Sequence, residues 1–211
     1  SSTGKHFSAG MDLSVFTDDE GVTARQDADR WVAAESFRRF VHHLQDTFSC
    51  LDKARMPVIV AIQGGCIGGA VDFISACDIR YATPSASFGA VFIRHGISAC
   101  DMGVSYHLPR LVGASRSAEL LLTGRVFGAQ EAVDIGLVLE LADPGAALDR
   151  AIAKAREIAQ YSPLAVWMTK ETMWQTVDSP NLRHALDIEN RTQVMCTGTG
   201  DLTRSFSRGP R

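Results

Sequence analysis

The sequence predicts an α/β core followed by an all-α region, and three observations carry that prediction. Short apolar, β-branched runs alternate with helix-like runs between residues 57 and 141, the pattern of parallel strands joined by helices. Glycines punctuate the change of period, most densely in Gly64-Gly65-Cys66-Ile67-Gly68-Gly69. From residue 144 to 195 apolar positions recur at helical spacing with no further strand-like run.

Taken in order, residues 1–13 form a small-residue turn, Lys5-His6-Phe7-Ser8-Ala9-Gly10-Met11-Asp12-Leu13, whose closing acid is placed to cap a following helix. Residues 14–29 are polar and acidic and read as a surface loop. A long amphipathic helix is predicted from Asp29 to about Lys53, with Trp31, Phe37, Phe40, Val41, Leu44 and Phe48 as a core-facing stripe. Pro57 to Ile62 reads as a buried strand that hands over through the four glycines to a helix over 68–77. Strands at Ile79–Ala82 and Ser87–Gly89 flank a Thr83-Pro84-Ser85 turn. Helices at 103–110, 114–121 and Ala129–Asp134 follow, the last closed by Gly136, and then a strand at Leu137–Leu141. Helices over 144–160, 163–174 and 182–195 fill the last third, and the tail from Gly198 shows no periodicity and reads as mobile at its end.

Composition narrows the function classes. With 211 residues, 45% of them hydrophobic, the chain is long enough for one sizeable core plus a helical extension. A net charge of −3 with scattered Lys and Arg gives no polyanion-binding signature, so nucleic acid is not expected as a partner. No apolar run approaches the roughly 20 residues of a membrane span, and no signal peptide is visible. Five cysteines without a CxxC pair suit a reducing, cytoplasm-like compartment better than disulfides or a metal site.

The glycine-rich junction is the feature closest to chemistry. Glycines at such a turn let backbone N–H groups approach a ligand. The spacing is GGxxGG rather than GxGxxG, and no Lys-Ser/Thr follows, which excludes a dinucleotide or phosphate loop. Asp72 stands three residues past Gly69, where a bound phosphate would be repelled. An oxyanion that forms only during reaction suits these donors better. A Ser nucleophile is not supported, since no GxSxG elbow is present.

FSAGMDL, GGCIGGAVD, SACDIRYATPSASFG, LPRLVG and TGRVFGAQEAVDIGLV, in this order, resemble the crotonase superfamily, the enoyl-CoA hydratases and isomerases. The likeness runs from residue 5 to about 190. It implies a spiral of stacked ββα turns over residues 1–143 and a helical oligomerisation region over 144–211, in a homotrimer or a homohexamer. In that family several strands and a helix precede the first motif, so the chain is expected to be part of a longer protein. The implied substrate is an acyl-CoA thioester, with no cofactor beyond the coenzyme A of the substrate and no metal.

Site residues follow from the same resemblance. The oxyanion hole maps to the backbone N–H groups of Met11 and Gly69, and Ala9, Gly10, Gly65, Gly68 and Phe92 surround the substrate. The two hydratase glutamates map to Asp72 and Phe92, so the second acid, which helps deliver water, is missing. The order of acids is more similar to the dienoyl-CoA isomerases, which match at Asp72 and Asp101 but carry a Glu where this chain has Val91-Phe92-Ile93-Arg94-His95. Asp101 is therefore the expected main base and Asp72 its assistant. The implied activity is double-bond isomerisation of an enoyl- or dienoyl-CoA; a hydratase with atypical acids and a non-catalytic acyl-CoA-binding homologue are the alternatives.

Each of these residues also has a plainer reading. Asp72 could be a helix acid bonded to backbone, Asp101 an N-cap for the helix near residue 103, and Asp12 a structural cap. His95, in the same loop as Arg94, reads as a structural or solvent-exposed histidine, Lys5 and Arg25 as solvated charges or contacts to coenzyme A phosphates, and Cys66 and Cys100 as small buried fillers.

Overall fold

The computed structural model describes residues 2–12 and 30–207, with the side chains of 30–34, 205 and 207 excepted. The acidic loop over 14–29, Arg25, the Trp31 side chain and any helix capped by Asp12 lie outside the described residues. Two compact units divide the chain: Ser1–Lys53 with Val58–Ala151, and Ala54–Pro57 with Ile152–Arg211.

In the first unit, helix α1 (Arg30–Asp52) half-buries Phe40, Val41, Leu44 and Phe48 and exposes Arg38, Arg39, His42 and His43, following its 3.6-residue period. Phe37, expected in the same stripe, is exposed. Strand β1 (Ile59–Ile62) is buried from Val60 to Ile62, because both faces of a parallel strand are covered. Strand β2 (Gly65–Ile67), helix α2 (Gly69–Ser75), β3 (Ile79–Ala82) and β4 (Ser87–Gly89) follow. A 3₁₀ turn (Val91–His95), α3 (Val104–Val112), α4 (Ala114–Thr123), β5 (Phe127–Gly128), α5 (Ala129–Asp134) and β6 (Glu140–Leu141) complete the core of this unit.

The strands form two three-stranded sheets. One is parallel in the order β1-β3-β6, with Ile59 opposite Ile79 and Tyr81 opposite Glu140. The other runs β2-β4-β5, with β2 parallel and β5 antiparallel to β4. Ile62, Ile74, Phe88, Val104, Leu108, Leu137 and Val138, all close to fully buried, form the centre of the core. The buried Arg80 is satisfied by carbonyls alone: its guanidinium donates to Leu137 O (2.7 Å), Ile74 O (3.2 Å) and Cys77 O. Burial pulls its pKa down, and the bonds tie β3 to both neighbouring segments.

Two expectations about the strands need correction. The strand does not hand over to the helix directly: Gly65–Ile67 is itself a strand, paired from Gly65 opposite Ser87 to Ile67 opposite Gly89. Glycine permits this, since a Cβ at Gly64 would stand 2.2 Å from Lys5 O. The strand expected over 137–141 shrinks to Glu140–Leu141, because the Val138 N–H bonds back to Ala132 O (3.0 Å) at the end of α5. Gly136, at φ 83°, terminates that helix as its position predicts.

Helix α6 (Ala147–Ile158) begins three residues later than expected, after the turn through Gly145 at φ 84°. The second unit holds α7 (Pro163–Val177) and α8 (Leu182–Thr197), capped by Ser162 Oγ on Ala165 N and Asn181 Oδ1 on His184 N. The tail is not without regular structure: Asp201–Ser207 is a further helix, α9, while its expected mobile end, residues 208–211, lies outside the described residues. Polar contacts rather than periodicity hold its start, for Asp201 accepts from Arg204 and from Ser162 Oγ at 2.5 Å each. Those bonds draw the Asp201 carboxyl down to about 2. Among the described residues, no helix is long and apolar enough to cross a membrane.

Candidate active site

Two segments distant in sequence build the site. Residues 5–8 lie beside β2: Ser8 N donates to Gly65 O and Ile67 N donates to Ser8 O, both at 3.0 Å, so Ser8 bridges Cys66 in parallel. The chain then turns at Gly10, with φ 91°. A Cβ there would stand 2.9 Å from Ile67 O and 3.4 Å from Gly69 N, so only glycine passes so close to the second glycine turn. Gly68, at φ 63°, opens α2, and its N–H is taken by Gly89 O at 2.8 Å. Gly69 is the first residue of α2, so its N–H has no intrahelical acceptor. Among the described residues, neither the Gly69 N–H nor the Met11 N–H has a hydrogen-bond partner.

Met11 and Gly69 line one cavity of about 620 Å³. Its walls are largely apolar: Phe7, Leu44 and Phe48 of α1, Val58 to Val60, Ala70 and Phe73 of α2, and Met102. Phe48 meets Phe73 edge-on at 5.9 Å between centroids, and Phe7 lies 6.3 Å from Phe73. Phe92, half-buried in the 3₁₀ turn, also lines it, with its ring tip 3.9 Å from where a Cβ of Gly69 would stand. Asp101 supplies the carboxylate on its wall. Of the candidate residues, Gly10, Met11, Gly69, Phe92 and Asp101 thus meet at the cavity, whereas Ala9, Gly65, Gly68 and Asp72 are not among its lining residues.

The two acids sit in different environments. Asp101 accepts the Met102 N–H through Oδ1 at 2.9 Å, and Met102 is the only described non-glycine residue with positive φ (46°). Helix α3 takes Gly103 as N-cap and no side-chain cap, so the capping reading of Asp101 does not hold. Held strain of this kind costs on the order of 1–3 kcal/mol and persists only where the surroundings impose it. Asp72 is 0% exposed, and neither of its carboxyl oxygens has a hydrogen-bond partner among the described residues, so the backbone-bonded reading fails too. Burial, and then the charge of Asp101, push its pKa up to about 8. Asp72 is therefore mainly neutral at pH 7.

This has a consequence for stability. A carboxyl whose folded pKa is raised binds more protons in the native than in the unfolded state, so stability falls as pH rises from about 4 through about 8. Asp72→Asn is expected to unfold at a higher denaturant midpoint than the parent at pH 8.5, with the difference shrinking toward pH 5. A constant difference across that range, in urea melts followed by circular dichroism, contradicts the assignment.

Residues 1–208 match the sequence pattern of the enoyl-CoA hydratase/isomerase family. The chain belongs to that family. It is 38% identical over 174 residues to the peroxisomal Δ3,5-Δ2,4-dienoyl-CoA isomerase of Arabidopsis thaliana, covering 82% of this chain and 62% of that protein. It is also 38% identical over 156 residues to a Mycobacterium tuberculosis H37Rv protein named as a probable enoyl-CoA hydratase, covering 74% and 55%. Among solved structures, the enoyl-CoA hydratase of Bacillus anthracis superimposes with a TM-score of 0.78 at 32% identity, over 90% of this chain and 69% of that one. The chain thus spans less than two thirds of the length of both curated relatives.

In this family member the sequence reading overlooks several wall residues. Leu44 and Phe48 carry a helical period that is the same for a core residue and for a cavity wall, so no signal separates the two. His6 stands in the first turn with no role marked by its surroundings in sequence, yet its Nδ1 accepts the Gly65 N–H at 2.9 Å. Cys66 is fully buried, and burial ahead of the charges of Asp72 and Cys77 pushes its thiol far above the ordinary range, which leaves it inert. Cys100, expected as a buried filler, is exposed. Lys5, Arg94 and His95 are exposed as well.

Proposed function

We propose that this protein binds an acyl-CoA thioester and moves a carbon–carbon double bond along its acyl chain. The observation that carries the reading is the cavity itself: Met11 and Gly69, whose backbone N–H groups have no partner among the described residues, line it together with Asp101 between apolar walls. Asp101 removes a proton from the α-carbon of an unsaturated acyl group. The electron pair left behind conjugates onto the thioester oxygen, where the two N–H groups stabilise the enolate. When the pair returns, a proton adds further along the chain and the double bond has shifted, with no net gain or loss of atoms. Asp72 assists by holding a neutral carboxyl near Asp101 at pH 7.

Hydration fits less well. It requires a second group that orients and deprotonates water, and Phe92 stands against Gly69 instead. The same Phe92 favours a second reading, an acyl-CoA-binding protein without turnover. A panel of enoyl-, dienoyl- and 3-hydroxyacyl-CoA thioesters, followed by ultraviolet absorbance, separates them. Double-bond migration is expected; saturable binding with no spectral change in any substrate selects the second reading.

We also propose a homo-oligomer, a trimer or a dimer of trimers. The helices of the second unit expose Leu182 (73%), Val194 (71%), Met195 (55%) and Phe206 (78%), apolar surface that a neighbouring copy would cover in a closed ring. Light scattering at micromolar concentration is expected to give three or six times the monomer mass, and a stable monomer refutes the proposal.

A further inference from the structure

The segment that carries Met11 is held by the packing of Phe7 on the core and by hydrogen bonds to β2, and one of those bonds is unusual. Parallel pairing of Ser8 with Cys66 uses Ser8 N to Gly65 O and Ile67 N to Ser8 O. Continued one step back, such a ladder would have the Gly65 N–H donate to the carbonyl of His6. That carbonyl instead accepts from Ser2 Oγ at 2.5 Å, and the His6 ring takes its place: Nδ1 accepts the Gly65 N–H at 2.9 Å. Gln63 Nε2, donating to Ser2 O at 2.6 Å, braces the far end of the same segment. The fit is close, since a Cβ on Gly64 or Gly65 would come within 3.1 Å of Nδ1.

We infer that His6 is a positioning residue of the oxyanion hole, acting through its neutral Nε2–H tautomer as the acceptor that sets the register of the Met11 segment against the Gly69 turn. The inference rests on the acyl-CoA reading of the cavity. Only three residues separate His6 from Gly10, whose backbone already lies against Ile67 O and Gly69 N. A slip at His6 therefore moves the Met11 N–H relative to that of Gly69, and a displacement of about 1 Å in such a pair costs up to about 10²-fold in rate. His6 is not among the residues lining the cavity, so the loss falls mainly on the transition state and leaves affinity little changed.

The test compares His6→Ala with His6→Asn, whose side-chain oxygen occupies nearly the place of Nδ1 and accepts the same bond. Hexanoyl-CoA labelled with ¹³C at its carbonyl serves as a saturated probe that is not turned over. In the parent, infrared spectroscopy is expected to show the bound carbonyl stretch shifted to lower frequency. In His6→Ala the band moves back toward its free position and kcat falls about tenfold with KM changed less than twofold; in His6→Asn both recover to within about threefold of the parent. An unshifted band and unchanged kcat in His6→Ala overturn the inference, and so does His6→Asn behaving like His6→Ala. Should the parent fail to bind the probe, the acyl-CoA reading fails instead. Amide exchange at Gly65 then decides the register role: protection lost in Ala and kept in Asn sustains it, and equal protection in all three refutes it.

Discussion

Asp101→Asn is expected to lower double-bond isomerisation by 10²- to 10⁴-fold, the usual contribution of a general acid–base group. The substitution is chosen to remove the chemistry and little else. Asn retains an Oδ1 that accepts the Met102 N–H, the 2.9 Å bond that supports the positive-φ turn ahead of α3. Binding of a saturated acyl-CoA, measured by calorimetry, should therefore stay within a few-fold of the parent. Asp72→Asn should cost less, because Asp72 does not line the cavity and is already mainly neutral at pH 7. Two results would defeat the assignment: undiminished isomerisation by Asp101→Asn, or efficient hydration of crotonyl-CoA by the parent.

The second large effect is expected at Gly10. An alanine there places its Cβ 2.9 Å from Ile67 O in a backbone conformation, φ 91°, that side-chain-bearing residues rarely adopt. Neither backbone partner can move aside, because Ile67 is held in β2 and its N–H is bonded to Ser8 O. The turn must open, separating Met11 from Gly69. Loss of one oxyanion donor costs about 10² to 10³ in kcat, so Gly10→Ala should lose that much turnover while its circular dichroism spectrum remains that of the parent. Gly128→Ala is the control: φ is −90° and no atom lies within 4 Å of the added Cβ, so activity should not change. Parent-like turnover by Gly10→Ala would show that the two N–H groups do not act together.

The legible part of this protein is the part with local causes. The strands at Ile79–Ala82 and Ser87–Gly89 and the helices of the core fall where period, β-branching and glycine stops place them, because each depends on residues within one or two turns. Where local signals are weak, long-range pairing decides. Gly65–Ile67 is a strand only because β4 and the segment around Ser8 lie on either side of it. Helix α9 starts where it does because Asp201 meets Arg204 and Ser162, one of them thirty-nine residues away.

The site divides in the same way. By itself the sequence determined its kinds of residue: glycines that free backbone donors, acids at 72 and 101, and a phenylalanine at 92, where the family resemblance implies a carboxylate in hydratases. Only the tertiary structure decided their surroundings. It brings Met11 to Gly69 across some sixty residues of chain, sets Asp101 on the cavity wall, and buries Asp72 with no hydrogen-bond partner for its carboxyl among the described residues, and that burial raises its pKa. It also turns Phe48 from a helix stripe into a cavity wall and makes His6 an acceptor for a glycine fifty-nine residues away. The physical reason is that a side chain's chemical type is local, whereas its solvation, charge state and partners depend on what the rest of the chain packs around it.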